Sequence, residues 1–163
     1  VLNHPIIRDG RSFAPRALDD FKLIEGAADA VNCLYKAGFL TIVVTNQKDV
    51  GMGDLDPVTL DRMHKKLRSE MPLDDIFVCT CIDECWCYKP NPGMFWEAKK
   101  KFDINLKSSF LVGDRWRDID AGCKIGCTTI FIDWGYREEL RRQPDFTVNS
   151  LSEAVSLIIK SDD

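Results

Sequence analysis

Short apolar runs alternate with helix-forming segments along this 163-residue chain, and the alternation constrains the fold more than any other feature. The run at residues 40–44 is mostly apolar and rich in β-branched residues, which is typical of a strand buried on both faces. Before it, Ala27, Val31 and Leu34 recur at helical spacing, and Gly38 ends that segment. Alternation of this kind predicts an α/β fold with a parallel sheet covered by helices on both faces. The other predicted strands are 76–78, 110–112 and 129–132, and the other predicted helices are about 57–71, a segment that begins at Pro92, about 117–125, and 151–159.

Composition and charge argue against several classes of partner. The net charge of -4 at pH 7 disfavours nucleic acid and anionic membranes, because both select a basic face. No apolar run approaches the length of a membrane span. The first residues resemble neither a signal peptide nor a transit peptide. We therefore expect residues 1–163 to form one domain of a cytoplasmic protein. We expect the protein to be a monomer or a weak homodimer, and its partner to be a small phosphorylated metabolite.

Polar residues stand where three of the predicted strands end. These residues are Thr45, Cys79 and Asp114. The carboxyl ends of parallel strands share one edge of a sheet, and ligands of such sheets bind there, so the positions of these residues support a ligand site independently of any motif. Thr45 and the following Asn46 offer a hydroxyl and backbone N–H groups to a phosphate oxygen. The alternative is a strand-end cap without a ligand.

A lysine and two carboxylates extend this candidate phosphate site. Lys89 precedes Pro90, whose ring restricts the lysine backbone to extended conformations, and a fixed ammonium suits a phosphate. The alternative is a solvated surface lysine. Asp114 is a hard oxygen ligand that suits Mg²⁺, whereas Asp118 fits either a metal ligand or a helix cap. The Arg-Trp-Arg sequence that begins at Arg115 forms either a rim that grips an anionic substrate or an exposed helix start.

Four of the seven cysteines lie within nine residues, and such crowding suits a metal ion better than a disulfide framework. Four thiolates complete a tetrahedral structural Zn²⁺ site, which would stiffen the loop that presents Lys89 without doing chemistry. The alternative is a set of free thiols packed around Trp86. Cys33, Cys123 and Cys127 have the surroundings of small core residues. The four candidate zinc ligands are Cys79, Cys81, Cys85 and Cys87.

Taken in order, these motifs resemble those of the haloacid dehalogenase (HAD) superfamily of phosphatases. The resemblance covers nearly the whole chain and is closest to the branch of glycero-manno-heptose bisphosphate phosphatases and histidinol-phosphate phosphatases. The cysteines resemble the zinc loop of the heptose branch, which usually has a His where this chain has Cys81. Tyr88 stands where many relatives carry Arg. Residues 1–3 resemble the end of the family's opening sequence, Asp-x-Asp-Gly-x-Leu-Asn. Residues 43–47 resemble the second motif of the family, residues 89–90 and 92–94 the third motif, and residues 112–118 the fourth motif.

This resemblance implies a three-layer Rossmann-like fold with a parallel sheet, a small zinc loop and no large cap domain. It also implies a Mg²⁺-dependent phosphomonoesterase that acts on a small sugar phosphate, such as a heptose 1,7-bisphosphate, through an aspartyl-phosphate intermediate. Asp114 would hold Mg²⁺, and Thr45 and Lys89 would act on the transferring phosphoryl group. Asn46 and Arg115 would bind the phosphate or the rest of the substrate.

The family's nucleophile lies in an Asp-x-Asp motif, and Val1 already matches a residue that follows this motif. Asp9-Gly10 imitates the motif, but Ile7 would then take the place of the nucleophile. The segment before Phe21 is otherwise predicted to be loop. We therefore expect the nucleophile upstream of Val1, a gap between the strands of the sheet, and low stability without turnover for residues 1–163 alone. The alternative is a catalytically inactive relative that binds a phosphate or a protein partner.

Overall fold

The computed structural model describes residues 1–83, 85–135 and 138–162, and the predicted alternation of strands and helices is present there. None of the helices in these ranges is long and apolar enough to cross a membrane. The strands are β1 (Ile6–Arg8), β2 (Arg11–Phe13), β3 (Ile42–Asn46), β4 (Asp75–Cys79), β5 (Phe110–Gly113), β6 (Thr128–Ile132) and β7 (Phe146–Val148). The helices are α1 (Ala27–Lys36), α2 (Lys48–Gly51), α3 (Pro57–Glu70), α4 (Gly93–Phe102), α5 (Trp116–Ile125) and α6 (Leu151–Asp162), with short 3-10 turns at Leu18–Asp20 and Leu106–Ser108.

The long strands form two parallel sheets. β3 pairs with β4, so that Asn46 faces Cys79 across the ladder. The second sheet has the order β5, β6, β7. In the described part of the chain no ladder joins β3 to β5, so the two parallel sheets are separate there. A cavity of about 940 Å³, hereafter the inter-sheet cavity, is lined by residues of both strands, among them Val44 and Val112.

The N-terminal segment contains a hairpin that the sequence analysis did not predict. β1 and β2 pair antiparallel, with Ile6 opposite Phe13. Asp9 and Gly10 connect them with φ angles of 51° and 73°. Type I′ hairpin turns need positive φ at both central positions, and Asp-Gly is a favoured sequence for them. The prediction of loop throughout this segment is therefore wrong, and β7 was also not predicted.

Helices cover both faces of the sheet that contains β6. Ile130 and Ile132, both 0% exposed, belong to the core cluster that also contains residues of α1, α3 and α6. Thr129 points to the opposite face, because successive residues of a strand alternate. There α5 packs so closely that a Cβ at Gly122 would lie 2.4 Å from Thr129 Cγ2. This arrangement gives the three layers that the sequence predicted.

Asp145 fixes the approach to β7 by bonding to buried Thr129. The N–H and the hydroxyl of Thr129 both donate to Asp145 Oδ2 at 2.7 Å, and the Asp145 N–H donates back to Thr129 Oγ1 at 3.0 Å. Thr129 is only 1% exposed, so water cannot replace these bonds. The hydrogen bonds from the Thr129 N–H, and then from its hydroxyl, lower the pKa of Asp145 below its ordinary value.

Replacing Asp145 with alanine is expected to lower the free energy of unfolding by about 1–3 kcal/mol, because two buried donors lose their acceptor. The folded-state pKa of Asp145 lies below the unfolded value, so this stabilisation is present above the ordinary carboxyl pKa. It disappears as the pH falls through the folded-state pKa. Urea unfolding from pH 7 down to about pH 2 measures the effect, with exposed Glu25→Ala as the control. This account would be contradicted if the difference in free energy of unfolding between Asp145→Ala and the parent did not become smaller at low pH.

Candidate active site

The residues predicted to act on phosphate, and the predicted Mg²⁺ ligand Asp114, lie together at the carboxyl ends of β3 and β5. Thr45 and Asn46 are the last residues of β3, and Asp114 directly follows β5. Lys89 belongs to the loop between β4 and α4. All four residues line the inter-sheet cavity. The structure therefore brings the predicted phosphate-binding groups to one place, at the edge where ligands of parallel sheets bind.

Lys89 is part of a buried ion pair and is not a solvated surface lysine. Its Nζ donates to the carbonyl of Val44 at 2.6 Å and to Asp118 Oδ1 at 2.7 Å. The two paired side chains are only 13% and 10% exposed. The peptide bond between Lys89 and Pro90 is cis. The ammonium is thus held at the end of β3, where its charge can act on a phosphate oxygen with little screening by water.

Asn46 holds the backbone of Lys89 at two points. The Lys89 N–H donates to Asn46 Oδ1 at 3.0 Å, and Asn46 Nδ2 donates to the Lys89 carbonyl at 3.1 Å. Both ends of the amide are therefore engaged with the lysine loop. Substrate binding by Asn46 stays a prediction, and its described contacts position Lys89 over the end of β3.

The two aspartates of the fourth motif differ in their surroundings. Asp118 Oδ1 accepts from Lys89, while its Oδ2 accepts the N–H of Arg115 at 3.1 Å. This second bond makes Asp118 a cap of α5, which is one of the two roles considered for it. Asp114 lies at the cavity, its side chain 18% exposed and its Oδ2 3.7 Å from the Val1 nitrogen. Its carboxylate is a hard oxygen ligand open to the cavity, which fits Mg²⁺.

Gly113 permits the close approach of Asp118 to the end of β5. A Cβ at position 113 would lie 2.1 Å from the Asp118 Cβ and 2.7 Å from its Oδ2. Any larger residue would therefore push the start of α5 away from the strand. The carboxylate that pairs with Lys89 would move with it.

Thr45 lies in the wall of the cavity with its hydroxyl oxygen accepting a hydrogen bond from Gln47 Nε2 at 3.0 Å. Because this bond uses a lone pair, the hydroxyl proton remains available for donation. The arrangement suits donation to a phosphate oxygen. It does not distinguish that role from a strand-end cap, so the catalytic assignment of Thr45 stays a prediction.

The four loop cysteines form one cluster, with all Sγ atoms within 4.8 Å of one another. Three of the Sγ–Sγ separations are 3.6, 3.8 and 3.3 Å. A tetrahedral ion with Zn–S bonds of about 2.3 Å places its sulfurs about 3.8 Å apart, and these three separations approach that value, whereas Cys79 Sγ and Cys87 Sγ lie only 2.6 Å apart. The structure joins Cys81 to Cys85 as a disulfide, whereas zinc would need both as thiolates. Burial, and then a hydrogen bond with Cys79, raise the pKa of Cys87 to about 11, so without a cation this thiol stays protonated at neutral pH.

The cysteine loop is tied directly to the segment that carries Lys89. The carbonyl of Cys85 accepts from Asn91 Nδ2 at 2.7 Å and from the Tyr88 N–H at 3.1 Å. Trp86 lies against Gly93 at the start of α4, where a Cβ would be 2.1 Å from its ring. A change in the cysteine cluster would therefore be transmitted to the turn around Lys89.

Arg115, predicted to bind substrate, is engaged with protein groups. Its Nε lies 3.1 Å from Glu138 Oε2, and its Nη1 donates to Ser12 Oγ of the hairpin. Glu138 Oε1 also accepts the N–H of Trp116 at 2.9 Å. The substrate role of Arg115 stays a prediction. These partners could not be predicted, because Ser12 and Arg115 are 103 residues apart and no periodic pattern links them.

The chain matches a family model and several known proteins. The family model described as HAD-hydrolase-like matches residues 86–154. A D-glycero-beta-D-manno-heptose-1,7-bisphosphate 7-phosphatase of Neisseria meningitidis is 31% identical over 128 residues, which cover 74% of this chain and 68% of that protein. The protein of the same description from Escherichia coli O6:H1 is 29% identical over 160 residues, covering 88% of this chain and 84% of the relative.

A solved structure shows the same fold. The crystal structure of the D,D-heptose 1,7-bisphosphate phosphatase from B. bronchiseptica, complexed with magnesium and phosphate, superposes with a TM-score of 0.80 and 25% identity. The match covers 99% of this chain and 94% of that one. The Rossmann-like HAD fold predicted from the sequence is thereby confirmed. By fold, by motif order and by identity to its relatives, the chain belongs to the haloacid dehalogenase superfamily, in the phosphatase branch that contains the heptose bisphosphate phosphatases.

Proposed function

We propose that the protein is a Mg²⁺-dependent phosphomonoesterase that acts on a small sugar phosphate such as a heptose 1,7-bisphosphate. The observation that carries this proposal is the convergence of Thr45, Lys89 and Asp114 on one cavity at the carboxyl ends of β3 and β5. The relatives described as heptose bisphosphate phosphatases support the choice of substrate. The inactive binding protein considered as an alternative is not favoured, because those relatives are phosphatases.

The nucleophile is proposed to be an aspartate on a strand that precedes Val1 and lies between β3 and β5. The interruption between the two parallel sheets supports this placement, because a strand there would pair with both of their free edges. The Val1 nitrogen lies 3.7 Å from Asp114 Oδ2, so a preceding segment would enter the site directly. Residues 1–163 would then be one domain that this strand completes.

In the proposed reaction an oxygen of that aspartate attacks phosphorus, and the bond from phosphorus to the sugar oxygen breaks. The leaving oxygen takes a proton, and water then hydrolyses the aspartyl-phosphate to release phosphate. Lys89 holds its ammonium against the phosphoryl oxygens, and the Thr45 hydroxyl donates to one of them. Bound by Asp114, Mg²⁺ would neutralise charge on the phosphoryl group.

Phosphate release from a panel of substrates tests this proposal. The panel consists of D-glycero-D-manno-heptose 1,7-bisphosphate, histidinol phosphate and p-nitrophenyl phosphate, each with the natural full-length protein and increasing Mg²⁺. We expect Mg²⁺-dependent release, fastest from the heptose bisphosphate. Absence of release from every substrate, together with measurable phosphate binding by calorimetry, would instead establish the binding protein.

The cysteine cluster is proposed to hold one structural Zn²⁺ that fixes the loop carrying Lys89. The Sγ separations and the hydrogen bonds from Cys85 to this loop support the proposal. The ion would have no open coordination position, so it would not take part in the chemistry.

Replacing Cys79 with serine is expected to reduce the zinc content from about one ion per chain to less than half, because a closed site needs all four thiolates. The melting temperature is expected to fall by several degrees, since bound metal stabilises the folded state. Atomic absorption after gel filtration measures the zinc, and differential scanning calorimetry measures the melting temperature. Cys33→Ser is the matched control, because Cys33 lies outside the cluster and is exposed, so that the core position predicted for it is wrong. Equal zinc content in the two variants would contradict the assignment.

A further inference from the structure

Arg117 differs from Lys89 and Arg115 because no described carboxylate is paired with it. Lys89 pairs with Asp118, and Arg115 pairs with Glu138. Within the residues that the structure describes, Arg117 makes no ion pair, and its Nε is buried without a hydrogen-bond partner. A buried donor without an acceptor is destabilising. An anionic ligand would supply the acceptor that the protein does not.

Aromatic rings hold the Arg117 side chain in place. Its guanidinium carbon lies 4.4 Å from the centre of the Trp116 ring and 5.8 Å from that of Tyr88. The guanidinium of Arg141 lies 3.4 Å from the centre of the same Trp116 ring. Cation–π contacts of this kind orient a guanidinium without neutralising its charge. Arg117 is therefore positioned in advance for a ligand that matches its planar set of donors.

The position of Arg117 connects it to the phosphate site. It directly precedes Asp118, the partner of Lys89, and it lines the inter-sheet cavity together with Tyr88 and Lys89. Lys89 and Arg115 each have an acidic partner, whereas no described carboxylate lies within ion-pair distance of Arg117. A substrate with two phosphate groups complements two separate cationic positions, Lys89 for one phosphate and Arg117 for the other.

We propose that Arg117 binds the phosphate group of a sugar bisphosphate that is not hydrolysed, and so selects bisphosphates over monophosphates. This inference rests on the proposed function and names its specificity residue. A guanidinium presents paired N–H groups that match two phosphate oxygens, and such charge-assisted bonds are stronger than neutral ones. Tyr88 and Trp116 act through Arg117 by fixing its orientation.

Calorimetric binding without Mg²⁺ tests the inference without requiring turnover. The ligands are D-glycero-D-manno-heptose 1,7-bisphosphate and the matching 7-phosphate, titrated into the natural full-length protein. We expect the parent to bind the bisphosphate at least about tenfold more tightly than the monophosphate, as two charge-assisted bonds imply. In Arg117→Met, which keeps an apolar side chain beside the rings, the two dissociation constants should become equal within about twofold.

Two further variants test whether the loss of discrimination is caused by removal of the Arg117 guanidinium. Arg117→Gln must show the same loss of discrimination, which guards against a folding defect peculiar to the methionine variant. Arg142→Met is the control, because Arg142 is an exposed arginine next to Arg141 and should retain the parental ratio. An unchanged ratio in both Arg117 variants, or equal weakening of both ligands, would overturn the inference. Failure of the proposed function would look different, since phosphate release would be absent while the affinity ratio persisted.

Discussion

Replacing Lys89 with methionine is expected to lower kcat/KM for phosphate release by about 10²–10³-fold, the usual cost of removing a fixed group that stabilises transition-state charge. The ammonium is held by the Val44 carbonyl and by Asp118, so its position is fixed before substrate arrives. The loss should appear in kcat as well as in KM, because charge on the phosphoryl oxygens changes during transfer. Steady-state kinetics of the natural full-length protein measures the effect.

The same substitution is expected to lower the free energy of unfolding by about 3–5 kcal/mol, because it leaves Asp118 buried without its partner. The double variant with Asp118→Asn should recover part of this stability but none of the activity. Lys107→Met is the matched control, since Lys107 is exposed. Urea unfolding alongside the kinetics separates the two effects. A Lys89→Met protein with parental kcat would exclude the lysine from the reaction.

Replacing Asp114 with asparagine is expected to lower kcat by about 10³-fold, since the loss of several kcal/mol of charge stabilisation corresponds to such a factor. The carboxylate lies open at the cavity and is the described group best suited to hold Mg²⁺. The Mg²⁺ concentration for half-maximal activity should rise at the same time. Mg²⁺ titrations of phosphate release measure both quantities.

Asp19→Asn provides the control for the aspartate, because Asp19 is an exposed carboxylate away from the cavity. The melting temperature of Asp114→Asn should stay close to that of the parent, since the Asp114 side chain is 18% exposed at the cavity and no described side chain forms an ion pair with it. Unchanged Mg²⁺ dependence in Asp114→Asn would show that other groups hold the metal.

Local patterns in the sequence were sufficient to predict the strands and helices of the central part of the fold. Residues 42–46 and 128–132 are strands rich in β-branched, apolar residues, the first half-buried and the second mostly buried, and they alternate with helices whose apolar residues recur at helical spacing. The convergence of Thr45 and Asp114 also followed from the sequence, because the carboxyl ends of parallel strands share one edge. These inferences needed only the period of the pattern and the rules of parallel sheets.

The contacts that shape the site could be identified only from the structure. Asn46 and Lys89 are 43 residues apart, and Ser12 and Arg115 are 103 apart, so no spacing in the sequence joins either pair. The second role of Asp118, as the partner of Lys89, depends on how closely α5 approaches the end of β5. The hairpin had a local signal in Asp9-Gly10, but its flanking strands are too short to show a clear alternation.

A crystal structure of the natural full-length protein with Mg²⁺ and the phosphoryl mimic beryllium fluoride would test the account most directly. The account predicts a strand between β3 and β5 whose aspartate carries the mimic. Lys89 Nζ and Thr45 Oγ1 would lie within hydrogen-bond distance of its fluorines, and Asp114 would coordinate Mg²⁺. A mimic bound elsewhere, or β3 and β5 still unjoined by a strand in the full-length protein, would contradict it.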